Sequence, residues 1–178
     1  EMKCITDSFK LDEDAQITIE CNPGTVDDGK LHIYRDCGIN RISFGLQSAD
    51  DGELKRLGRI HSYGDFVESY SKAVSAGFTN INVDLMSDIP GQTLESWEHT
   101  LRSVCSLDPA PVHISAYSLI VEEGTPFGDM QNAGELEIPD EDTDREMYHM
   151  TSSILSTSGY ARYEISNYSK PGFECRHN

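Results

Sequence analysis

The sequence lacks the long apolar runs that a membrane span requires, since no stretch approaches about 18 apolar residues. Basic residues are also scarce: 14 Lys and Arg against 31 Asp and Glu give a net charge of −17 and a pI near 4.5. Because such a field repels phosphate groups and anionic lipid, we expect no nucleic-acid partner. The first residues, EMKCITDSFK, have no apolar run typical of a signal peptide, and we therefore expect a cytoplasmic protein.

Cysteines are few and widely scattered. The five are odd in number and never form a Cys-x-x-Cys pair: Cys4, Cys21, Cys37, Cys105 and Cys175. A disulfide framework or a zinc ribbon needs dense, closely spaced cysteines. The pattern therefore indicates a reducing compartment and predicts no metal site within this chain.

Short β-rich runs alternate with longer helical patterns along the 178 residues. Four such runs, QITIE, NRISFGLQS, TNINVDLMS and VHISAYSLIV, are each predicted to be a strand, and ARYEISNY is predicted to be a last short one. Thr93 with Ser96 and Asp140 with Thr143 predict helix amino termini. The segment EEGTPFGDMQNAGELEIP is predicted to be a loop. Strands alternating with helices predict an α/β fold with a parallel sheet.

The first four predicted strands each carry one apolar and one polar face. In the second strand, apolar Ile42, Phe44 and Leu46 alternate with Ser43, Gly45 and Gln47, and residues two apart share a face. The polar faces end in Glu20, Gln47, Asp84 and Tyr117. Helices on both faces would make the strands apolar throughout, and a closed, packed barrel would hold Val, Ile and Leu inside. The pattern favours a wide or incomplete barrel around a polar ligand, with solvent on an open sheet as the alternative.

Several motifs then occur in order: ITIECNPGT, NRISFGLQS, LGRIH, NINVDLMSDIPGQT, HISAYSL, EEGTPF and YEISNY–PG–ECRHN. Together they resemble the radical S-adenosylmethionine (SAM) enzymes of the oxygen-independent coproporphyrinogen III oxidase family, and LGRIH and the terminal HN favour its HemW-like, heme chaperone branch. The resemblance implies a partial (β/α)6 TIM-like barrel with four parallel strands and flanking helices. It also implies SAM and a 4Fe–4S cluster as cofactors, with heme as a further candidate, and a porphyrinogen or heme as the small-molecule partner.

The sequence departs from the family in one respect. Family members bind the cluster through a Cys-x3-Cys-x2-Cys loop and meet the cofactor's amino group with a GGGTP-like turn, and this chain has neither. Scattered cysteines cannot replace ligands that must converge on one cluster. We therefore interpret residues 1–178 as the central part of a radical SAM barrel domain, without its cluster-binding portion and carboxyl-terminal domain. On this interpretation the chain alone is inactive, and it holds neither a catalytic residue nor a metal ligand.

The resemblance assigns the cofactor contacts residue by residue. Glu20 of Glu-x-Asn-Pro would bind the ribose hydroxyls of SAM, and Gln47 would bind the ribose edge. Arg59 of LGRIH would bind the cofactor carboxylate, and Asp84 would be the acidic contact. The alternatives are a solvated strand-end glutamate for Glu20, a helix-end cation for Arg59 and a loop-capping aspartate for Asp84.

Other polar residues of these motifs have weaker assignments. Tyr117 and Ser118 would line the adenine pocket by resemblance. His61 is predicted to be a surface imidazole, and His113 is predicted to be structural, beneath the site.

Three function classes are left open. One is an enzyme that oxidatively decarboxylates the propionates of coproporphyrinogen III, and another is a heme-binding delivery protein that retains the radical machinery. A non-radical binding module is the third. Cys175 and His177 are residue types that bind heme iron, although a structural role is favoured for both.

Overall fold

A computed structural model describes residues 2–177 and contains one mixed sheet of six strands in the order β1-β2-β3-β4-β6-β5. The strands are β1 Thr18–Cys21, β2 Arg41–Gln47, β3 Ile81–Ser87, β4 His113–Ser118, β5 Ala161–Arg162 and β6 Asn167–Ser169. Strands β1 to β4 are parallel, and β6 pairs antiparallel with β4. This confirms the predicted α/β fold of four parallel strands with flanking helices. Within the described residues the sheet is open, with β1 and β5 at its two edges.

Seven helices are described; the first precedes β1, and the other six lie between consecutive strands. They are α1 Met2–Ser8, α2 Asp28–Asp36, α3 Asp51–Arg56, α4 Tyr63–Ser75, α5 Leu94–Cys105, α6 Pro126–Ala133 and α7 Glu141–Thr157. The predicted amino-terminal caps are confirmed, because the Thr93 side chain accepts a hydrogen bond from Ser96 N and that of Asp140 accepts one from Thr143 N. None of the α-helices in the described part of the chain is long and apolar enough to cross a membrane.

Two local predictions are wrong. The predicted loop contains α6, which has Thr125 as its N-cap, Pro126 in its first turn and Gly134 in the left-handed region at its end. The segment is rich in Gly and Asn, which are typical of turns, and this composition favoured a loop although the sequence contains these start and stop signals of a helix. The predicted last strand, ARYEISNY, is instead the hairpin β5–β6. Helix α1 was not predicted, and it buries no side chain.

The apolar face of the sheet carries the hydrophobic core. Phe44 of β2 is fully buried, and its ring meets the edge of Phe66 from α4 at a centroid distance of 6.0 Å. Trp97 of α5 is also buried, and its indole Nε1 donates to Thr151 Oγ1 of α7 at 2.9 Å. Because the helices pack on this face, the polar face of β1 to β4 remains open to a ligand.

Candidate functional site

A pocket lies on the polar face at the carboxyl ends of the parallel strands. We call it the upper pocket; its volume is about 530 Å³, and it is lined by Glu20, Cys21, Asn22, Ser43, Gly45, Gln47, Arg59, Asp84 and Tyr117. The structure therefore brings together five of the six cofactor-binding residues that the sequence predicted. They meet because carboxyl ends of parallel strands share one edge of the sheet, where such folds place their sites.

An irregularity in β2 directs Gln47 into the upper pocket. The pairing register with β3 shifts between Gly45 and Gln47, and Gln47 has a φ of 75°. Its side chain is 3% exposed, and its Oε1 accepts a hydrogen bond from the Tyr117 hydroxyl at 3.1 Å. A Cβ at position 45 would lie 3.2 Å from Gln47 Nε2, so glycine provides the room for this side chain.

The upper pocket contains charges of both signs. Arg59 follows α3, and its Nη1 donates to Asn22 Oδ1, in the turn after β1, at 3.3 Å. Glu20 at the end of β1 is exposed and lines the same pocket, as does Asp84 of β3. One guanidinium beside two carboxylates complements a ligand that carries both a carboxylate and cationic or hydroxyl groups.

Asp84 is held by neighbours on the adjacent strand and on its own. Its Oδ2 accepts a hydrogen bond from Ser43 Oγ at 3.0 Å, and its Oδ1 accepts one from Asn82 Nδ2 at 2.8 Å. Asn82 Oδ1 lies 2.6 Å from His113 Nδ1 on β4. Because the amide oxygen can only accept, Nδ1 carries the proton, and the Asp84 carboxylate has a fixed orientation.

His113 continues this network to the carboxyl-terminal segment. Its Nε2 lies 2.7 Å from the Tyr163 hydroxyl, which in turn accepts a hydrogen bond from the backbone N–H of Cys175 at 3.1 Å. Burial, and then the positive charge of Arg41, lower the pKa of His113 to about 4. His113 is therefore neutral at pH 7, and its predicted structural position beneath the site is confirmed.

His61 is not the surface imidazole that the sequence predicted. It is 7% exposed, and its Nε2 lies 3.3 Å from the backbone oxygen of Leu46. Burial lowers its pKa. The chain after Arg59 turns the ring back against the end of β2, and a contact between such distant residues leaves no pattern in a single sequence.

Ser118 lies outside the upper pocket. It is exposed, and its Oγ donates to Asp144 Oδ1 of α7 at 2.9 Å and lies 3.2 Å from Ser87 Oγ. Since successive strand residues point to opposite faces, Tyr117 and Ser118 cannot both face the pocket.

Glu53 on α3 is a buried carboxylate that the sequence reasoning missed. It is 1% exposed and accepts hydrogen bonds from Ser48 Oγ at 2.6 Å, Gln92 Nε2 at 2.9 Å and Ser96 Oγ at 2.6 Å. These bonds connect α3 to the loop after β3 and to the start of α5. They fix the helix that precedes Arg59. A glutamate in a short polar helix is usually exposed, and the sequence around Glu53 does not predict its burial because its hydrogen-bond partners come from separate segments.

The carboxyl-terminal segment crosses the lower part of the polar face. Arg176 Nη1 donates to Asp14 Oδ2 at 2.8 Å, and the Arg176 backbone N–H donates to Gln16 Oε1 at 3.1 Å. Beneath it is a second cavity of about 850 Å³, the lower pocket, lined by Gln16, Thr18, Glu20, Arg41, Ser43, Asn82, Asp84, Ser115, Tyr117, Ser166, Asn167, Cys175, Arg176 and His177. Asn178, which completes the HN motif, lies outside the described residues.

The described residues do not fit an iron–sulfur cluster. No group of three or more His, Cys, Asp or Glu side chains within 2–177 is arranged to hold a metal ion. The five cysteines are unpaired and range from exposed Cys4 to buried Cys21. We therefore derive no step through a cluster bound by this chain.

Comparison with known families agrees with this fold. The family model described as "Radical SAM superfamily" matches residues 1–104, more than half of the chain. The chain belongs to the radical SAM superfamily. The resemblance seen in its motifs is thereby confirmed at the level of the superfamily.

Within the superfamily, the chain is similar to heme chaperone HemW proteins. It is 40% identical to "Heme chaperone HemW" of Bacillus subtilis over 92% of this chain and 43% of that protein. For the Escherichia coli protein of the same name the identity is 39%, over 94% of this chain and 43% of that protein. The chain therefore spans less than half the length of these relatives.

The fold is also that of a solved radical SAM enzyme. The structure of coproporphyrinogen III oxidase (HemN) from Escherichia coli superposes with a TM-score of 0.81 at 25% identity, covering 96% of this chain and 39% of that one. The chain thus has the HemN-type radical SAM fold, as an open sheet within the described residues.

Proposed function

We propose that the upper pocket binds SAM. The observation that carries this proposal is the convergence of Glu20, Gln47, Arg59, Asp84 and Tyr117 at the carboxyl edge of the parallel strands. Membership of the superfamily implies SAM and a 4Fe–4S cluster, and the polar residues present fit the first of these. In this proposal Glu20 accepts hydrogen bonds from the ribose hydroxyls, and Arg59 binds the carboxylate of the methionine moiety.

The other contacts follow from the same geometry. Asp84, fixed by Ser43 and Asn82, presents a preorganised carboxylate to the cofactor. Gly45 leaves the floor of the pocket free of a side chain, and Tyr117 provides an aromatic wall beside it. Ser118 has no part in the proposed site, since it contacts α7 instead. With a reduced cluster held elsewhere in the longer protein, bound SAM would supply the 5′-deoxyadenosyl radical, which is the cofactor's own chemistry.

We further propose that residues 1–178 form the central part of a radical SAM barrel domain, in which the cluster is held by residues outside this chain. This placement is supported by the open sheet of the described residues and by the fraction of each relative that the chain covers. The chain alone is then unable to start the radical reaction.

For the longer protein we propose a role in porphyrin or heme metabolism in the cytoplasm. Two candidate activities are favoured by different observations. The HemW relatives, at 39–40% identity, support a chaperone that binds and delivers heme. The HemN neighbour, with its TM-score of 0.81, supports an oxidoreductase that decarboxylates coproporphyrinogen III.

The SAM proposal is tested by calorimetric titration of the chain with SAM. We expect saturable binding that Glu20→Gln weakens roughly tenfold, because charge-assisted hydrogen bonds are lost. Glu68→Gln is the matched control, since Glu68 is an exposed residue of α4 paired with Lys72. Equal affinities for wild type and Glu20→Gln would contradict the assigned role.

The two activities are separated in the longer protein. Heme titration followed by absorbance should give a saturable spectral change for a chaperone. Anaerobic incubation with coproporphyrinogen III, SAM, a one-electron reductant for the cluster and an electron acceptor should release carbon dioxide for an oxidase. A protein that does neither would overturn both.

A further inference from the structure

Arg41 is a buried cation on the polar face that forms no ion pair with any residue from 2 to 177. It begins β2, it is 5% exposed and it lines the lower pocket. Its Nε is buried and makes no hydrogen bond to any residue from 2 to 177. Among the same residues, no carboxylate oxygen lies within 4.0 Å of the Arg41 guanidinium, the distance that an ion pair requires. A buried guanidinium in this state costs free energy that a suitable anion would recover.

The neighbours of Arg41 leave its guanidinium without a negatively charged partner. His113 is neutral, because burial and Arg41 itself lower its pKa to about 4. Arg176, at the wall formed by the carboxyl-terminal segment, is itself a cation and is paired with Asp14. Glu20 and Asp84 line the wall shared with the upper pocket, but neither carboxylate forms an ion pair with Arg41. Among residues 2–177, the guanidinium at the lower end of the cavity therefore has no direct ion-pair partner.

Arg41 and Arg59 lie at opposite ends of the polar face. Arg41 is the first residue of β2 and Gln47 the last, and strand geometry separates their Cα atoms by about 20 Å. Arg59 and Gln47 line the upper pocket and not the lower one, whereas Arg41 lines the lower pocket and not the upper one. A group that binds Arg41 is thus distinct from one that binds at Arg59.

We propose that the lower pocket is a binding site for a small carboxylate, held by the Arg41 guanidinium. The planar, always-charged fork of arginine matches a carboxylate bidentately. A monocarboxylate matches the single charge of the Arg41 guanidinium, whereas a dianion such as phosphate would meet stronger repulsion from Glu20 and Asp84 on the shared wall. The volume of about 850 Å³ leaves room for an organic acid rather than an ion alone. This site is independent of the SAM proposal.

The direct test follows the Arg41 Nε–Hε signal of the 15N-labelled chain by NMR during titration with two monocarboxylates, acetate and propionate, at constant ionic strength. We expect a saturable shift of that signal, with chloride at the same concentration giving none and phosphate a smaller one. No saturable shift with either carboxylate, or an equal response to chloride or phosphate, would overturn the proposal. Because this readout uses the wild-type chain, it does not depend on the folding of a variant.

Variants give the second readout. Backbone amides of the lower pocket, including those of Ser43 and Ser115, should report acetate binding in wild type, and Arg41→Gln should weaken it roughly tenfold or more. Arg102→Gln is the charge-matched control, since Arg102 lies on α5 and pairs with Glu98. Retained acetate binding in Arg41→Gln would contradict the assignment. SAM binding at the upper pocket should remain in Arg41→Gln, so that failure of one proposal is distinguishable from failure of the other.

Discussion

The two faces of the parallel sheet are built from alternate residues of the same strands, yet one packs against helices and the other presents polar side chains to the pockets. On β2, Phe44 is fully buried against the helices, while Ser43 and Gly45 beside it line the upper pocket. On β3, Val83 is in the core and Asp84 is held by hydrogen bonds on the other face. The apolar face stabilises the fold by burial, and on the polar face hydrogen bonds hold side chains in position for a ligand.

The largest effect is expected on the apolar face. Phe44→Ala removes a fully buried ring that contacts Phe66 and Tyr70, and it should lower the free energy of unfolding by about 3–5 kcal/mol. Ser43→Ala, one residue away on the opposite face, is the control. Chemical denaturation of both variants tests the comparison, and equal losses would show that the two faces contribute alike.

The next effect is a pH dependence on the polar face. Burial lowers the folded pKa of His113 to about 4 from an ordinary value near 6.5, so the unfolded chain binds the extra proton first. The contribution of neutral His113 to the free energy of unfolding is complete above pH 6.5 and is lost as the pH falls towards 4. Relative to His113→Gln, wild type should lose about 2–3 kcal/mol across this window.

Urea unfolding of wild type and His113→Gln at several pH values measures that difference. Because His61 titrates in both proteins, its contribution cancels. A difference that does not change between pH 6.5 and 4 would contradict the neutral, buried state of His113.

Asn82 connects the structural and ligand-facing parts of the polar network. Asn82→Ala leaves His113 without its acceptor and removes one donor to Asp84, and it should cost about 1–3 kcal/mol of stability. It should also weaken SAM binding, because Asp84 loses its fixed orientation. Thermal unfolding and calorimetry check the two effects, and a loss of stability with unchanged affinity would restrict Asn82 to a structural role.

The smallest effect concerns a carboxylate at the helix side of the sheet. Burial, and then the charge of Asp144, raise the pKa of Asp88 to about 6, so the folded chain binds its proton more tightly than the unfolded one. Stability should therefore fall as the pH rises from about 4 to 6. Asp88→Asn keeps a residue that tolerates the φ of 64° and should gain about 1 kcal/mol at pH 7, allowing for partial exposure.

Differential scanning calorimetry at pH 4 and pH 7 checks this prediction. The gain should be present at pH 7 and absent at pH 4. A stabilisation of the same size at both values would mean that titration of Asp88 is not its cause.

Much of the fold, and the set of strand-end residues that meet in the upper pocket, could be predicted from the sequence because both depend on strand periodicity. The alternation around Phe44 predicted which face packs on helices, and the strand ends predicted that Glu20, Gln47 and Asp84 meet. Helix α6 was missed because Gly and Asn outweighed a correct cap at Thr125. Local composition and cap signals conflicted there, and the cap was the better guide.

The features that could not be predicted depend on contacts between distant segments. Glu53 is buried by partners at Ser48, Gln92 and Ser96, which periodicity does not bring together. His61 packs against Leu46 for the same reason. That Arg41 Nε has no hydrogen-bond partner among residues 2–177 also depends on which segments surround it, and the sequence pattern does not show this.

The most direct test of the account is a 15N NMR titration of the chain with SAM, since its central claim is that one face of the sheet binds the cofactor. We predict saturable shifts for the amides of Gly45, Gln47, Asp84 and Tyr117, with no change at the Trp97 indole in the core beneath the other face. Shifts centred on the helix side, or no saturable shift at these four amides, would contradict the assignment of the polar face as the SAM site.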